Sequence, residues 1–307
     1  MTNTGQLTGL NGPKRIIIIG ASGMIGSRLC ALASDQDIPL IATCRSHPVE
    51  GCRLFDMAYD HLVQLAPTLG AGDVVYLLAA NSDPNAVFRE PDAARLLNVN
   101  ATLRLAREAM AVGARVVFVS TEQVFDGAGG FCEDDMPKPQ CLYAQQKVEV
   151  EQTLLAEHGD ICIVRAGALV GDLPSDNCIV AKTYETLLKP EACMARDNVF
   201  TVTDVHDIAN VLLLLSNPSQ HRLYHVAAGP EVSRTVLADL VMEMSRYGSD
   251  MTYKTVNFAD IPYAEPRGCV TWMKSKRIQD EFGYSFTPTP QVVRQKVQLL
   301  DDWRKAS

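Results

Sequence analysis

Tyr143 and Lys147 stand four residues apart in Tyr143-Ala-Gln-Gln-Lys147, downstream of the hydroxyl pair Ser120-Thr121. On a helix this spacing puts both side chains on one face and brings the ammonium close to the phenol oxygen. A free phenol titrates near pH ~10, too high for ready proton exchange at neutral pH, and an adjacent cation favours the phenolate and lowers that value. The spacing therefore describes a tuned acid/base. Amphipathic helices also produce such pairs by composition alone, so the chemistry depends on what the rest of the chain places around it.

The surrounding pattern is an alternation of short apolar runs and helical stretches. Arg15 to Ile19 is β-branched and runs into Gly20-Ala-Ser-Gly23-Met-Ile-Gly26, followed by an amphipathic stretch from Arg28 to Ala33. Further strand-like runs lie at 38–43, 53–55, 74–78, 115–119 and 161–164. This order predicts an α/β fold, a Rossmann-like doubly wound parallel sheet with a smaller C-terminal substrate-binding portion. Helices are predicted over 92–112, from Tyr143 to about Glu157 after the breakers Pro137 and Pro139, and over 177–188, 205–215 and 234–247, the last with Ser233 as its cap. A strand at 222–226 and a final helix after Pro288 and Pro290 complete the reading.

Gly20, Gly23 and Gly26 fit three separate jobs: a tight turn, close approach of backbone to a pyrophosphate, and close helix-to-strand packing. The helix that follows aims its positive dipole end and free amides at phosphates. Ser22, Met24 and Ile25 share this turn, and Leu78, Ala79 and Ala80 end the strand beneath the same ligand. A dinucleotide is the expected cofactor. At the end of the second strand, where an acid would hold the ribose hydroxyls of NAD, the chain has Cys44-Arg45-Ser46. Arg45 suits a 2′-phosphate, with Arg28 and Ser46 assisting, so NADP(H) is favoured over NAD(H). Asp56, with Met57 after it, is placed to accept from an adenine amino group or to cap a helix.

These assignments divide the chain into a flexible segment 1–12, an NADP-binding domain 13–165 that includes the hydroxyl, tyrosine and lysine, and a mainly substrate-binding portion 166–307 interleaved with the end of the sheet. A formal net charge of -8 argues against a nucleic-acid partner. The polar stretch Met1 to Gly12 has no signal-peptide pattern and no apolar run reaches membrane-spanning length, so a soluble, cytoplasmic protein is expected. Nine scattered cysteines without Cys-x-x-Cys spacing read as reduced, mostly buried thiols, with no metal site.

Taken together, these residues resemble the extended short-chain dehydrogenase/reductase superfamily, and within it the dTDP-4-dehydrorhamnose reductase group of sugar-nucleotide reductases. The glycine turn, Leu78-Ala-Ala80, Asn98-Val-Asn-Ala-Thr102, Ser120-Thr-Glu-Gln-Val-Phe-Asp-Gly127, Val202-Thr-Asp-Val-His-Asp-Ile-Ala209 and Tyr224-His-Val-Ala-Ala-Gly229 carry the likeness. The resemblance implies that Thr121 hydrogen-bonds a substrate carbonyl, that Tyr143 donates the proton, and that Lys147 binds the nicotinamide ribose and lowers the phenol's pKa. Asn98 matches an asparagine that supports the site, and Ser120 a structural hydroxyl.

The chain also departs from the group. Glu122-Gln123 replaces Asp-Tyr in the loop after the catalytic hydroxyl, Ala144 replaces a common Gly, and the segment from Lys182 to Phe200 is short for the family. Glu122 and Gln123 are expected to border the substrate cleft, with Asn81 and Ser82 lining it. Arg267, in Glu265-Pro-Arg-Gly268, and Asn177 with Lys182 are candidates for nucleotide, phosphate or sugar contacts. Phe131 to Pro139 reads as a flap beside the site, while Trp272, Trp303, Met242 and Met244 read as packing residues.

The expected activity is NADPH-dependent reduction of a keto group on a nucleotide-activated deoxysugar or a related polar carbonyl metabolite. An epimerase or dehydratase of the same superfamily is a second reading, kept open by the acid at Glu122. A third is a non-catalytic NADP-binding regulatory subunit, since the resemblance extends to the β subunits of methionine adenosyltransferases. Members of the extended superfamily often dimerise, and the 92–112 helix is a candidate face for a homodimer.

Overall fold

The computed structural model describes residues 12–45 and 49–306. Seven strands form one sheet: β1 (Arg15–Ile19), β2 (Leu40–Cys44), β3 (Cys52–Leu54), β4 (Asp73–Leu77), β5 (Arg115–Thr121), β6 (Ile161–Ala166) and β7 (Leu223–Val226). Their order is β7-β6-β5-β4-β1-β2-β3, with β1 parallel to both β2 and β4, β2 parallel to β3, and β4 parallel to β5. The order reverses between β1 and β4. Ligands of such sheets bind beyond the carboxyl ends of the strands at that reversal.

Burial explains the apolar runs. Every residue of β4 and of β6 is buried, as a parallel sheet covered on both faces requires. The chain divides into two compact units, one made of residues up to Ser120 with Gln146–Val164 and Ile208–Tyr224, the other of Thr121–Gln145, Arg165–Asp207 and residues from His225 on. In the first unit the core gathers Ile17, Ile19, Val75, Leu77, Leu105, Val116, Phe118, Ile163 and their neighbours. In the second, the helices Ile179–Leu187, Arg234–Met244 and Thr289–Ala306 pack on one another. Asp301 stitches these three: it accepts from the Tyr184 hydroxyl and the Ser245 hydroxyl, both at 2.8 Å, and from the Arg246 amide. Ser233 caps the middle helix by accepting from the Val236 amide.

Several expectations are revised. The stretch read as one helix over 92–112 is three pieces: Pro91–Arg95, a π-helical segment Leu96–Ala101, and Thr102–Ala111. Pro290 lies within the last helix, not before it, because the first turn needs no amide donor there. The Phe131 to Pro139 segment is no free flap. Glu133 is buried and accepts from the Arg277 amide at 3.0 Å, Asp134 pairs with Arg277, and Phe131 stacks on Phe125. All nine cysteines are free, but only Cys44, Cys141, Cys162 and Cys178 are buried. Among the described residues no helix is long and apolar enough to cross a membrane.

Candidate active site

The glycine turn is built by close contact. Gly20 sits at φ 99°, where an added Cβ would lie 2.7 Å from the Ala79 amide nitrogen, so both the backbone angle and the neighbouring strand end demand glycine. A Cβ at Gly26 would meet the Gly20 carbonyl oxygen at 2.2 Å. Gly23 is different: its Cβ would reach that oxygen only at 3.4 Å, and it caps the helix Met24–Asp35 with an ordinary φ. Thr43 locks the turn to β2, donating to the Ile18 carbonyl at 3.0 Å and accepting from the Gly20 amide at 3.2 Å. Ser22 and Gly23 are exposed, and Met24 and Ile25 half-buried. Beneath them Leu78 and Ala79 both donate to the Ile19 carbonyl, with Ala80 following, half-buried.

Arg45 projects, exposed, from the end of β2, and Arg28 is half-buried in the first helix. Ser46 lies outside the described residues. Asp56 turns inward on its own loop, its Oδ1 accepting from the Ala58 amide at 3.0 Å. Met57 is 3 % exposed and belongs to the core; its carbonyl accepts from Arg104.

Asn98 explains the π segment. Its amide clasps the loop after β4, accepting from the Asn81 amide at 2.8 Å and donating to the Asn81 carbonyl at 3.0 Å and to Gln146 Oε1 at 2.9 Å. The wider turn accommodates a buried polar side chain that a straight helix would aim elsewhere. Ser82, next in the loop, is exposed.

The helix Leu142–Ala156 carries Tyr143 and Lys147 one turn apart. Lys147 Nζ donates to the Val119 carbonyl at 2.8 Å and lies 4.5 Å from the centre of the Phe118 ring. Burial pulls the lysine down to about 8, partly opposed by Glu151 one turn further on. For Tyr143 burial pushes the phenol well above its usual value, and the thiol of Cys141 adds to the rise. The dominant influence on the phenol is thus desolvation, opposite in direction to the lowering expected from the lysine. A phenol held protonated is suited to give a proton.

Thr121 ends β5 and caps the short turn Glu122–Val124, its Oγ1 accepting from the Gln123 amide at 3.2 Å. Glu122, expected at the cleft, is buried. It is 6 % exposed, and its carboxylate accepts from the Thr201 amide at 3.3 Å and the Thr201 hydroxyl at 3.2 Å. Burial raises it to about 7. Gln123 is half-buried, with the Cys141 thiol directed at its Oε1. Asn177 is exposed and precedes Cys178, the cap of the helix Ile179–Leu187, so it stands ahead of that helix; Lys182, on it, is exposed.

Arg267 lies over the Tyr263 ring, 4.2 Å from its centre. Its neighbour Glu265 escaped the sequence reading. Glu265 Oε2 accepts from the Leu142 amide at 2.9 Å, placing a carboxylate at the start of the helix that bears Tyr143. The two residues are 123 positions apart, and no local pattern announces such a pairing.

A parallel sheet with a glycine turn at its switch point, a hydroxyl at the end of β5 and a Tyr/Lys helix define an NAD(P)-dependent oxidoreductase of the extended short-chain dehydrogenase/reductase type. A family model described as the RmlD substrate binding domain matches residues 14–301, and the chain belongs to that family. It is 29% identical over 273 residues to the dTDP-4-dehydrorhamnose reductase of Mycobacterium tuberculosis, covering 86% of each protein. It is 31% identical over 166 residues to methionine adenosyltransferase 2 subunit beta of Rattus norvegicus, covering 52% of this chain and 48% of that one. The crystal structure of dTDP-4-dehydrorhamnose reductase from Bacillus anthracis in complex with NADP matches the fold with a TM-score of 0.77 at 22% identity, covering 92% of this chain and 98% of that one.

Proposed function

We propose that this chain reduces the keto group of a nucleotide-activated deoxysugar, using NADPH. The observation that carries the reading is the buried Tyr143 on a helix that also holds Lys147, in a chain whose match to a dTDP-4-dehydrorhamnose reductase spans 86% of both proteins. The match to methionine adenosyltransferase 2 subunit beta of Xenopus tropicalis spans 72% of this chain and 69% of that one, against 86% of both proteins for the reductase, and the wider span favours turnover.

The cradle fits a dinucleotide: Gly20 and Gly26 leave no room for a Cβ, and Gly23 leaves an exposed backbone at the head of the helix. Bound NADPH would supply the hydride. Gly20 to Gly26 would hold the pyrophosphate, Arg45 the 2′-phosphate, and Lys147 the nicotinamide ribose. Thr121 would donate to the substrate carbonyl oxygen and Tyr143 would deliver the proton there as the carbonyl carbon accepts hydride, giving an alcohol. Asn98 would keep the loop after β4 and the Gln146 side of the catalytic helix in register.

The test is NADPH consumption with a 4-keto sugar nucleotide. Tyr143→Phe is expected to lower kcat by about 10²- to 10⁴-fold while NADPH still binds. Undiminished kcat in that variant would remove the proton-donor assignment.

A further inference from the structure

Arg234 is a guanidinium held in place by side-chain bonds. It opens the helix Arg234–Met244, where its amide donates to the Asn198 carbonyl at 3.1 Å and its Nε to Asn198 Oδ1 at 2.9 Å. Its Cζ lies 5.1 Å from the centre of the Phe200 ring. With Nε tied and one face on a ring, the two terminal nitrogens make the free edge of the group. Among the described residues Arg234 forms no ion pair, and burial pulls its pKa down. The nearby charge of Arg267 acts in the same direction, against Glu122 and Tyr263.

The strand segment that holds Arg234 also holds the neighbourhood of Arg267. Asn198 Nδ2 donates to the Cys269 carbonyl at 2.8 Å, and the Val199 amide donates to the same oxygen at 2.9 Å. Two residues further, Thr201 anchors Glu122, the neighbour of Thr121. One short run of backbone thus sets two guanidiniums, each lying on an aromatic ring, beside the turn that presents the carbonyl-binding hydroxyl.

Tyr263 and Glu122 offset part of the cost of desolvating Arg234 and Arg267 adds to it, and an anion at the free guanidinium edge would complete the arrangement. Guanidinium edges match phosphate oxygens in charge and fork geometry. We propose that Arg234 is an anion-binding residue which, together with Arg267, receives the diphosphate of the substrate. The assignment rests on the sugar-nucleotide reading and adds a residue that no motif in the chain marks.

Isothermal titration of the full-length protein, loaded with NADPH, with thymidine diphosphate and with thymidine tests it. The wild-type protein is expected to bind the diphosphate at least about ten-fold more tightly than thymidine, and Arg234→Gln to lose about ten-fold of diphosphate affinity with thymidine binding unchanged. Equal diphosphate affinity in Arg234→Gln overturns the assignment, as does a wild-type protein that does not distinguish the two probes. Should Arg234→Gln fail to bind NADPH, Arg234→Lys decides: a loss of about three-fold or more supports the fork contact, and no loss overturns it. A parallel NADPH-oxidation assay with a 4-keto sugar nucleotide separates the two claims. Diphosphate binding that depends on Arg234 without any oxidation removes the reductase reading alone, whereas turnover with an unchanged KM in Arg234→Gln removes the Arg234 assignment alone.

Discussion

The glycine turn and the cluster around Glu122 and Glu265 are built by opposite means. Between Gly20 and Gly26 the work falls to backbone: seven consecutive residues, a positive φ and two positions too crowded for a Cβ. Around Glu122, Thr201, Glu265 and Arg267 it falls to side chains drawn from distant segments, each fixed by a bond such as Glu122 to Thr201 or Glu265 to Leu142. The difference teaches that a close-packed turn can be made by a short local device, while a cluster of charged side chains is made by bonds that only the folded chain assembles.

The sharpest way to break that contrast is at the turn. Gly26→Ala forces a Cβ onto the Gly20 carbonyl and is expected to abolish NADPH binding and cost about 3 kcal/mol of stability, whereas Gly23→Ala, with far more room, should weaken NADPH binding with less than about 1 kcal/mol lost. Fluorescence titration with NADPH and chemical denaturation measure both. Equal destabilisation by the two would show that the turn is not the close-packed device described.

In the side-chain cluster, Glu122 makes stability depend on pH. Its carboxyl is raised from an ordinary 4.5 to about 7, so the folded chain prefers it protonated. That contribution is complete below the ordinary value, fades as pH climbs towards about 7, and is absent above it. The loss is roughly 3 kcal/mol, and Glu122→Gln, which keeps an acceptor for Thr201, should erase the step. Denaturation at pH 5 and at pH 8 would expose it. A variant that retains the full pH dependence would contradict the burial of this acid as its cause.

Smaller effects should follow at the edges of the cofactor site. Arg45→Ala is expected to raise KM for NADPH by about ten-fold and leave that for NADH unchanged; equal changes for both would remove the 2′-phosphate contact. Lys147, held at about 8, should make kcat/KM fall as pH rises through that value. Removing the opposing charge by Glu151→Gln should move the fall to lower pH by a fraction of a unit.

The same contrast governs what was legible in the sequence. Strands β1, β4 and β5 announce themselves as buried β-branched runs, and the glycine spacing and the Tyr143/Lys147 interval are local and so survive in one dimension. The π segment at Asn98 was not legible, because its cause is a clasp on Asn81 that no helical periodicity records. The burial of Glu122 was not legible for the same reason: its position beside Thr121 is visible, its bond to Thr201 is not. Local spacing could be read; long-range bonds could not.

Hydride transfer to a sugar-nucleotide carbonyl, with proton delivery from Tyr143, can be followed with NADPH deuterated at the transferring position and a 4-keto sugar nucleotide, by mass spectrometry of the product. One deuterium is expected on the former carbonyl carbon for each NADPH oxidised. A product free of deuterium, formed without net oxidation of NADPH, would rule out reduction by this route.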